Sequence, residues 1–101
     1  MSTPITSMSM YARVTKADNL VVVKCWAGFC KPCIENAPAY DEMARQHPHA
    51  AWYTVDIESI PDFAESEGIS RLPSYLIFRA HEPVGMIIGA SNMGEIPPIL
   101  I

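Results

Sequence analysis

The chain has 101 residues, 50% of them hydrophobic, and a formal net charge of −4 at pH 7. This length supplies one modest core, so we expect a single domain over residues 1–101. The acidic balance offers no basic surface for nucleic acid, and no apolar run approaches the roughly 20 residues that span a bilayer, so we expect an intracellular protein that does not bind nucleic acid and has no transmembrane segment.

The first half of the chain predicts alternating strands and helices: an edge strand over 3–6, a helix over 8–16, a strand over 20–26 and a helix over 30–46. The strand from Leu20 to Trp26 is apolar on both faces, which is typical of a central strand in a parallel sheet. Pro32 suits the first turn of the second helix, and Pro38 predicts a kink in its middle. The buried face of that helix is predicted to consist of Ile34, Ala37, Tyr40, Met43 and Ala44.

The second half predicts a strand over 51–55, a helix over 60–67 and strands over 74–78 and 84–88. Ser59 and Asp62 match a capping box at the start of the helix, and Gly68 is a natural stop. A turn over 81–83 joins the last two strands as an antiparallel hairpin. The order of elements indicates an α/β fold with a mixed central sheet flanked by helices.

The segment WAGFCKPC places two cysteines, Cys30 and Cys33, three positions apart. Such a pair can bind a metal, form a structural disulfide or exchange electrons. The N-terminus of the predicted helix carries partial positive charge and free N–H groups, which favour a thiolate at Cys30. Cys33 lies one turn further in, where it is shielded yet able to attack a mixed disulfide on Cys30. The pair is therefore interpreted as redox-active.

A metal site is the main alternative for the two thiols. Zinc requires four ligands, and the chain adds only Cys25, His47 and His49, whose spacing is not a usual zinc pattern. Cys25 alternates away from Lys24 on a buried strand, so we expect it to pack as a small hydrophobe. The two histidines are expected to be solvated loop residues. We therefore expect no metal.

The segment LVVVKCWAGFCKPC resembles the thioredoxin family, in which a tryptophan precedes the motif W-C-G-P-C. Pro38, the segment VDIESIPDFAESEGISRLPS and Gly89 match the family in register, and the resemblance extends over about residues 5–90. It implies a thioredoxin fold and a thiol–disulfide oxidoreductase in which Cys30 attacks and Cys33 resolves. It also implies a redox-active disulfide without a bound cofactor, a flavoprotein or dithiol reductase as partner, protein disulfides as substrates, and a monomer in the cytoplasm or mitochondrial matrix.

The resemblance further implies a surface for substrates. Pro73 matches the family's cis-proline, which lies beside the dithiol and leaves the backbone of Leu72 free to pair with an extended peptide. The alternatives are an ordinary strand-entry proline at Pro73 and a core position for Trp26. The expected contact residues are Trp26, Phe29, Pro32, Leu72, Pro73, Ser74, Gly89 and Ala90.

Two lysines depart from the family pattern. Lys24 stands where thioredoxins usually carry a buried aspartate, and Lys31 where they carry a glycine. When charged, both stabilise thiolates, which predicts a less reducing potential than that of an ordinary thioredoxin. When neutral, a buried Lys24 could act as a base; the alternative is an ammonium that reaches water and has no effect. Both lysines are candidate catalytic residues.

The C-terminal segment SNMGEIPPILI departs most clearly from the family. Pro97 and Pro98 fall where the family's final helix runs, so we expect that helix to be shortened or missing. Residues 96–101 would then leave an apolar edge for a partner or a membrane surface. The competing function is a thioredoxin-fold adaptor that binds partners without turnover. Zinc or iron–sulfur binding through the dithiol is a further alternative.

Overall fold

The computed structural model describes residues 2–101. Its strands are β1 (Thr3–Ile5), β2 (Leu20–Trp26), β3 (Ala50–Asp56), β4 (Ser74–Arg79) and β5 (Glu82–Ile88). Its helices are α1 (Met8–Thr15), α2 (Lys31–Glu35), α3 (Ala37–Gln46), α4 (Pro61–Glu67) and α5 (Ile96–Ile99), and a 3-10 helix over Ala90–Glu95 precedes α5. Over these residues, no helix is both long enough and apolar enough to cross a bilayer.

The five strands form one mixed sheet in the order β1-β3-β2-β4-β5. β2 runs parallel to β3, and β3 parallel to β1, whereas β4 is antiparallel to both β2 and β5. β2 is buried along almost its whole length, as its two apolar faces predict. The central strand therefore delivers the two thiols, which follow its last residue, to one end of the sheet.

Helices cover the sheet on both sides, over two apolar clusters. On the side of α3 and α5, Tyr40 packs edge-on against Trp52, with ring centroids 5.5 Å apart. On the side of α1 and α4, Tyr11 packs edge-on against Phe63 at 4.8 Å. Burying side chains of this size contributes roughly 1.5–3 kcal/mol each. This packing fixes the sheet and its helices around the site.

The predicted helix after Cys30 is two helices, because the chain breaks at Asn36. Pro38 lacks an N–H and its ring would crowd the carbonyl four residues back, so it occupies the first turn of α3 instead of a kink. The break separates α2 from α3, so the helical spacing does not continue across it. Ile34 and Ala37 are exposed. Their predicted place on the buried face was wrong, whereas Tyr40 is buried as predicted.

The start of α4 also differs from the prediction. Ile60 precedes the helix and no side chain caps it, so the predicted capping box is absent. The Ser59 hydroxyl donates instead to Asp56 at 3.2 Å, and the same carboxylate accepts the Glu58 N–H at 3.0 Å. An aspartate turn has taken the hydroxyl that the cap needed. Gly68 ends the helix with φ 70°, as predicted.

The last part of the chain consists of the β4–β5 hairpin and the C-terminal segment, which packs on the sheet. β4 and β5 are joined by Ala80 and His81, both with positive φ, so the turn comes earlier than 81–83. Ile96 is fully buried in the cluster beside α3, whereas Ile101 is 93% exposed. The predicted apolar edge over 96–101 is therefore smaller than expected, since Ile96 and Leu100 are buried whereas Pro98 and Ile101 are exposed. The shortened final helix was confirmed.

Candidate functional site

The two active-site thiols are joined in a disulfide at the start of α2. Cys30 is the N-cap residue, and its sulfur accepts the backbone N–H of Cys33 at 3.3 Å. Pro32 falls in the first turn of α2, where its missing N–H costs nothing, as predicted. The geometry thus directs an N–H group at the Cys30 sulfur, which favours its thiolate once the disulfide opens.

The two sulfurs differ in access. Cys30 is 8% exposed and Cys33 is 1% exposed. An open cleft of about 340 Å³ adjoins Cys30 and is lined also by Phe29, Ile57, Ile69, Ser70 and Leu72. An incoming thiolate or disulfide therefore reaches Cys30 first, along an apolar path.

Lys24 lies under the resolving cysteine and is only 3% exposed. Its Nζ donates to the carbonyl oxygen of Cys33 at 2.9 Å and to Oδ1 of Asn36 at 2.7 Å. It also lies 5.4 Å from the centre of the Tyr40 ring. Burial lowers the pKa of Lys24 to about 8, and the Asp41 carboxylate partly opposes this change. The Lys24 ammonium therefore does not reach bulk water, contrary to the alternative considered for it from the sequence.

Asn36, which the sequence reasoning did not identify, connects the side chain of Lys24 in β2 to that of Tyr75 in β4. Its Nδ2 donates to the Tyr75 hydroxyl at 2.5 Å, on the side of the amide opposite Lys24. The nearest sequence signal was a polar residue two positions before Pro38, where the helix breaks. A second cleft, of about 200 Å³, is lined by Lys24, Trp26, Cys33, Ile34, Ala37 and Thr54.

The peptide bond between Leu72 and Pro73 is cis, as the resemblance implied. The Pro73 carbonyl accepts the N–H of Gly89 at 2.9 Å, which joins the loop before β4 to the end of β5. Gly89 has φ 97°, a conformation that side chains disfavour. The Ser74 hydroxyl donates to the Arg71 carbonyl at 2.6 Å, so it is engaged within the loop.

The predicted contact residues fall on two sides of the disulfide. Phe29, which is 73% exposed, and Leu72 line the cleft beside Cys30, whereas Trp26 lines the cleft of Lys24. Trp26 is half-buried, which fits neither a fully exposed rim position nor a full core position. The remaining positions differ in burial: Pro32 and Lys31 are exposed, Pro73 and Ser74 are buried, and Gly89 and Ala90 are half-buried.

A second contact missed by the sequence reasoning fastens the loop before Cys30. The backbone N–H of Gly28 donates to Glu58 Oε1 at 3.3 Å. Glu58 follows β3, and β2 and β3 are parallel, so their C-terminal ends meet at one edge of the sheet. An acid just after the strand paired with β2 was the available signal.

None of Cys25, His47 and His49 lines either cleft beside the disulfide. Cys25 is buried, and burial, helped by the Glu67 carboxylate, raises the pKa of its thiol to about 12. His49 lies 3.2 Å from the Leu100 carbonyl, and the His47 carbonyl accepts the indole N–H of Trp52 at 2.9 Å. Both histidines lie in the loop between α3 and β3, as predicted, and His49 is exposed whereas His47 is half-buried. Among residues 2–101, no three His, Cys, Asp or Glu side chains group as metal ligands.

Comparison with known proteins agrees with this geometry. The thioredoxin family model matches residues 2–100. Thioredoxin-1 and thioredoxin-2 of Saccharomyces cerevisiae are 31% and 32% identical, each over 90% of this chain and 88% of its own length. The fold is shared with the thioredoxin of Trypanosoma brucei brucei (TM-score 0.92, 22% identity, 99% of this chain and 88% of that one). It is shared also with mitochondrial thioredoxin 3 of Saccharomyces cerevisiae (TM-score 0.88, 21% identity, 97% and 92%). The chain therefore belongs to the thioredoxin family and is a thioredoxin-like protein-disulfide oxidoreductase.

Proposed function

We propose that the protein exchanges electrons with protein disulfides through Cys30 and Cys33, at a potential less reducing than that of an ordinary thioredoxin. The observation that carries the exchange is the disulfide between a reachable Cys30 at a helix N-cap and a buried Cys33. Because Cys30 is the more exposed of the two sulfurs and borders the larger cleft, the two thiols take different roles.

The exchange needs only the two thiols and a proton acceptor. In the reduced protein, the Cys30 thiolate attacks one sulfur of a substrate disulfide, and the other substrate sulfur leaves as a thiolate. Cys33 then loses its proton and attacks Cys30 in the mixed disulfide, so the second substrate sulfur leaves with its electron pair. The two substrate thiolates take protons from water. The substrate gains two electrons and the protein regains its disulfide.

The two lysines support the higher potential. With a pKa of about 8, Lys24 is mostly protonated at pH 7 and adds a buried positive charge beside Cys33. Lys31 adds an exposed charge between the cysteines. A unit charge several ångströms from a thiolate contributes roughly 2 kcal/mol at a dielectric near 20, which is about 50 mV for a two-electron couple. Both charges stabilise the reduced form and so make the disulfide more oxidising.

Substrate is proposed to lie across the cleft beside Cys30. The exposed ring of Phe29 and the side chain of Leu72 offer apolar contact, and the Leu72 backbone offers pairing to an extended peptide. The outer parts of the contact would come from Trp26, Pro32, Pro73, Ser74, Gly89 and Ala90. The Ser74 hydroxyl already bonds to Arg71, so Ser74 would contribute through its backbone.

The proposed partners are a flavoprotein or dithiol reductase and protein disulfides, and the proposed form is a monomer that needs no bound cofactor. A reducing compartment, the cytoplasm or the mitochondrial matrix, fits a chain that carries a free buried thiol at Cys25. Thioredoxin 3 of Saccharomyces cerevisiae, which shares this fold, is named as a mitochondrial protein.

Turnover tests the exchange itself. The wild type should reduce insulin disulfides when supplied with thioredoxin reductase or dithiothreitol. Cys30→Ser should lose this activity, and Cys33→Ser should accumulate a mixed disulfide with the substrate that alkylation and non-reducing electrophoresis reveal. If Cys33→Ser turned over like the wild type, the assigned roles would be wrong.

The reduction potential tests the effect of the lysines. Equilibration in glutathione buffers, with alkylation to count reduced protein, should give a value near or above about −200 mV at pH 7. Lys24→Asp and Lys31→Gly should each lower it by tens of millivolts. A wild-type value near about −270 mV, as in thioredoxin, would contradict the charge argument.

A further inference from the structure

We propose that Asn36 is a positioning residue for disulfide exchange: its side-chain amide holds Lys24 so that the remaining bonding position on Nζ faces the cleft shared with Cys33. This inference rests on the proposed exchange through Cys30 and Cys33. It adds a residue that lies outside the dithiol motif and that neither touches substrate nor reacts.

The backbone fixes where Asn36 stands. Its N–H donates to the Pro32 carbonyl at 3.1 Å, and its carbonyl accepts the N–H of Tyr40 at 3.0 Å. It therefore belongs to the last turn of α2 and the first turn of α3 at once. A residue held from both helices has little freedom to move, so its side chain keeps one direction.

The chemistry of its neighbours fixes the orientation of the amide. The Lys24 ammonium can only donate, so the Asn36 oxygen must face it, at 2.7 Å. The amide nitrogen then faces the Tyr75 hydroxyl at 2.5 Å and the Met93 sulfur at 3.6 Å. Reversing the amide would place its N–H groups against the ammonium. The side chain thus works as a rigid bridge from β4 to Lys24.

This bridge leaves one defined position on the Lys24 nitrogen. Nζ is tetrahedral: one position is its own carbon, and two N–H groups donate to the Cys33 carbonyl and to Asn36. The fourth position holds a proton in the ammonium and a lone pair in the neutral amine. Lys24 and Cys33 line the same cleft of about 200 Å³. With one acceptor removed, the amine could rotate and this direction would be lost.

A defined position on Nζ allows a balanced proton transfer. When an incoming thiolate attacks Cys30 and breaks the disulfide, Cys33 leaves as a thiolate with the bonding electron pair. The Lys24 ammonium gives its free proton to that sulfur and becomes a neutral amine, which regains a proton from water in the cleft. In the opposite direction, the amine takes the proton of the Cys33 thiol before the thiolate attacks Cys30.

The groups that face Lys24 set the pH range of this transfer. α2 presents Cys33, α3 presents Tyr40 and Asp41, β4 presents Tyr75, and the neighbouring β3 presents the uncharged Thr54. Burial brings the pKa of Lys24 to about 8, and the Asp41 carboxylate opposes this change. Both protonation states are therefore available near neutral pH.

The test compares opposite changes at Asn36 in the full chain. Asn36→Asp is nearly isosteric and adds a negative charge, which favours the ammonium, whereas Asn36→Leu removes the acceptor and favours the amine. The rate at which dithiothreitol reduces the protein's disulfide is followed by tryptophan fluorescence from pH 6 to 10. Each protein's rate, wild type included, is divided by the fraction of dithiothreitol that is thiolate at the same pH, so the titration of the reagent cancels and that of Lys24 remains.

We expect the midpoint of the Lys24-linked transition to rise by about one pH unit or more in Asn36→Asp and to fall by about one unit in Asn36→Leu. Asn36→Gln, which keeps the amide, should restore part of the wild-type profile. Asn92→Asp and Asn92→Leu make the same chemical changes at an exposed asparagine that bonds to the Ile88 carbonyl. These two controls should follow the wild-type curve.

The outcomes distinguish a failure of the Asn36 role from a failure of the dithiol exchange itself. If Asn36→Asp and Asn36→Leu moved the midpoint in the same direction, or not at all, while circular dichroism showed native folding, the proposal would be overturned. If Asn36→Leu did not fold, Asn36→Asp alone would decide by a rise or its absence. If Lys24→Met left the pH profile unchanged, the Asn36 proposal would fail while exchange through the dithiol stood. If the wild type failed to reduce insulin, the proposed function would fail first.

Discussion

Lys24 is a charged residue in an apolar setting, and the fold accepts it because two oxygens and an aromatic ring surround its nitrogen. A group whose pKa is lowered on folding releases its proton more easily in the folded state than in the unfolded state. At low pH Lys24 stays charged in the folded protein, so the free-energy cost of burying it is largest there. The same burial that makes Lys24 useful for proton transfer makes it a stability cost at neutral pH.

The first prediction concerns the pH dependence of this cost. Lys24 has a pKa of about 8 when folded and 10.5 ordinarily. Between these values the unfolded chain binds more protons, so the free energy of unfolding should rise with pH, by up to about 3 kcal/mol across the window. Urea unfolding of oxidised wild type and Lys24→Met at pH 7, 9 and 10 measures it. The difference between the two proteins cancels the titration of other groups, and parallel curves would contradict the prediction.

Cys25 gives a second prediction, of inertness. Its thiol is buried and its pKa is raised to about 12, so it is protonated at neutral pH. Iodoacetamide should label it only after unfolding, as mass spectrometry would show. Cys25→Ala should lower the free energy of unfolding by about 1–2 kcal/mol through the cavity it leaves, with insulin reduction unchanged. Rapid labelling of Cys25 in the native protein would argue for a redox role.

Phe29 gives a third prediction, about substrate contact. The exposed ring borders the cleft of Cys30, so Phe29→Ser should lower kcat/KM for protein disulfides by roughly 5–10-fold. A small aromatic disulfide needs less contact and should react at nearly the wild-type rate. Ile101→Ser removes an even more exposed apolar side chain, which does not line the cleft, and serves as the control. An equal loss for both substrates would indicate damage to the dithiol instead.

Among the elements, α5 shows how four residues can replace a longer helix. Pro97 and Pro98 stand in its first turn, where their missing N–H groups cost little, and Leu100 is buried just after it. Arg79 donates to the carbonyls of Ile99 and Ile101 at 3.0 and 2.7 Å, which fastens the segment to β4. The short helix therefore closes one face of the sheet.

The fourth prediction tests this closure. Ile96→Ala removes a fully buried side chain and should lower the free energy of unfolding by about 2–5 kcal/mol. Ile101→Ala changes a side chain that is 93% exposed and should alter it by less than about 0.5 kcal/mol. Urea unfolding measures both. Similar small effects would mean that α5 adds little to the core.

The molecule as a whole consists of one sheet with apolar clusters on both faces, and β2 belongs to both through its alternating side chains. Val22 faces one cluster, and Val21 and Val23 face the other. Loss of either cluster uncovers the same central strand. We therefore expect the two sides to unfold together, as one domain.

The fifth prediction follows from this sharing. Trp52 lies in one cluster, and Trp26 lies beside the disulfide, so Trp26→Phe and Trp52→Phe leave fluorescent probes in different places. For each variant, the midpoint by fluorescence should equal the midpoint by far-UV circular dichroism. Separate midpoints within one variant would show that part of the molecule unfolds independently.

The accuracy of the sequence predictions depended on how local each signal is. The bounds of β2 were predicted to the residue because a strand that is apolar on both faces requires burial wherever it lies. The capping box at Ser59 failed because Asp56, three residues earlier, competes for the same hydroxyl. In the site, Cys30 and Cys33 were evident from spacing. Asn36 was not, because its partner Lys24 lies twelve residues away on another element.

The sequence by itself determined the order of strands and helices, the dithiol at a helix start and the family, since these follow from local patterns of apolar, proline and cysteine residues. The tertiary structure decided the environment of Lys24, the role of Asn36 and the burial of Ile96. Each of these depends on which surfaces meet when the helices pack on the sheet. A side chain's pKa and hydrogen-bond partners depend on the groups packed around it, and the sequence specifies these only through the folded chain.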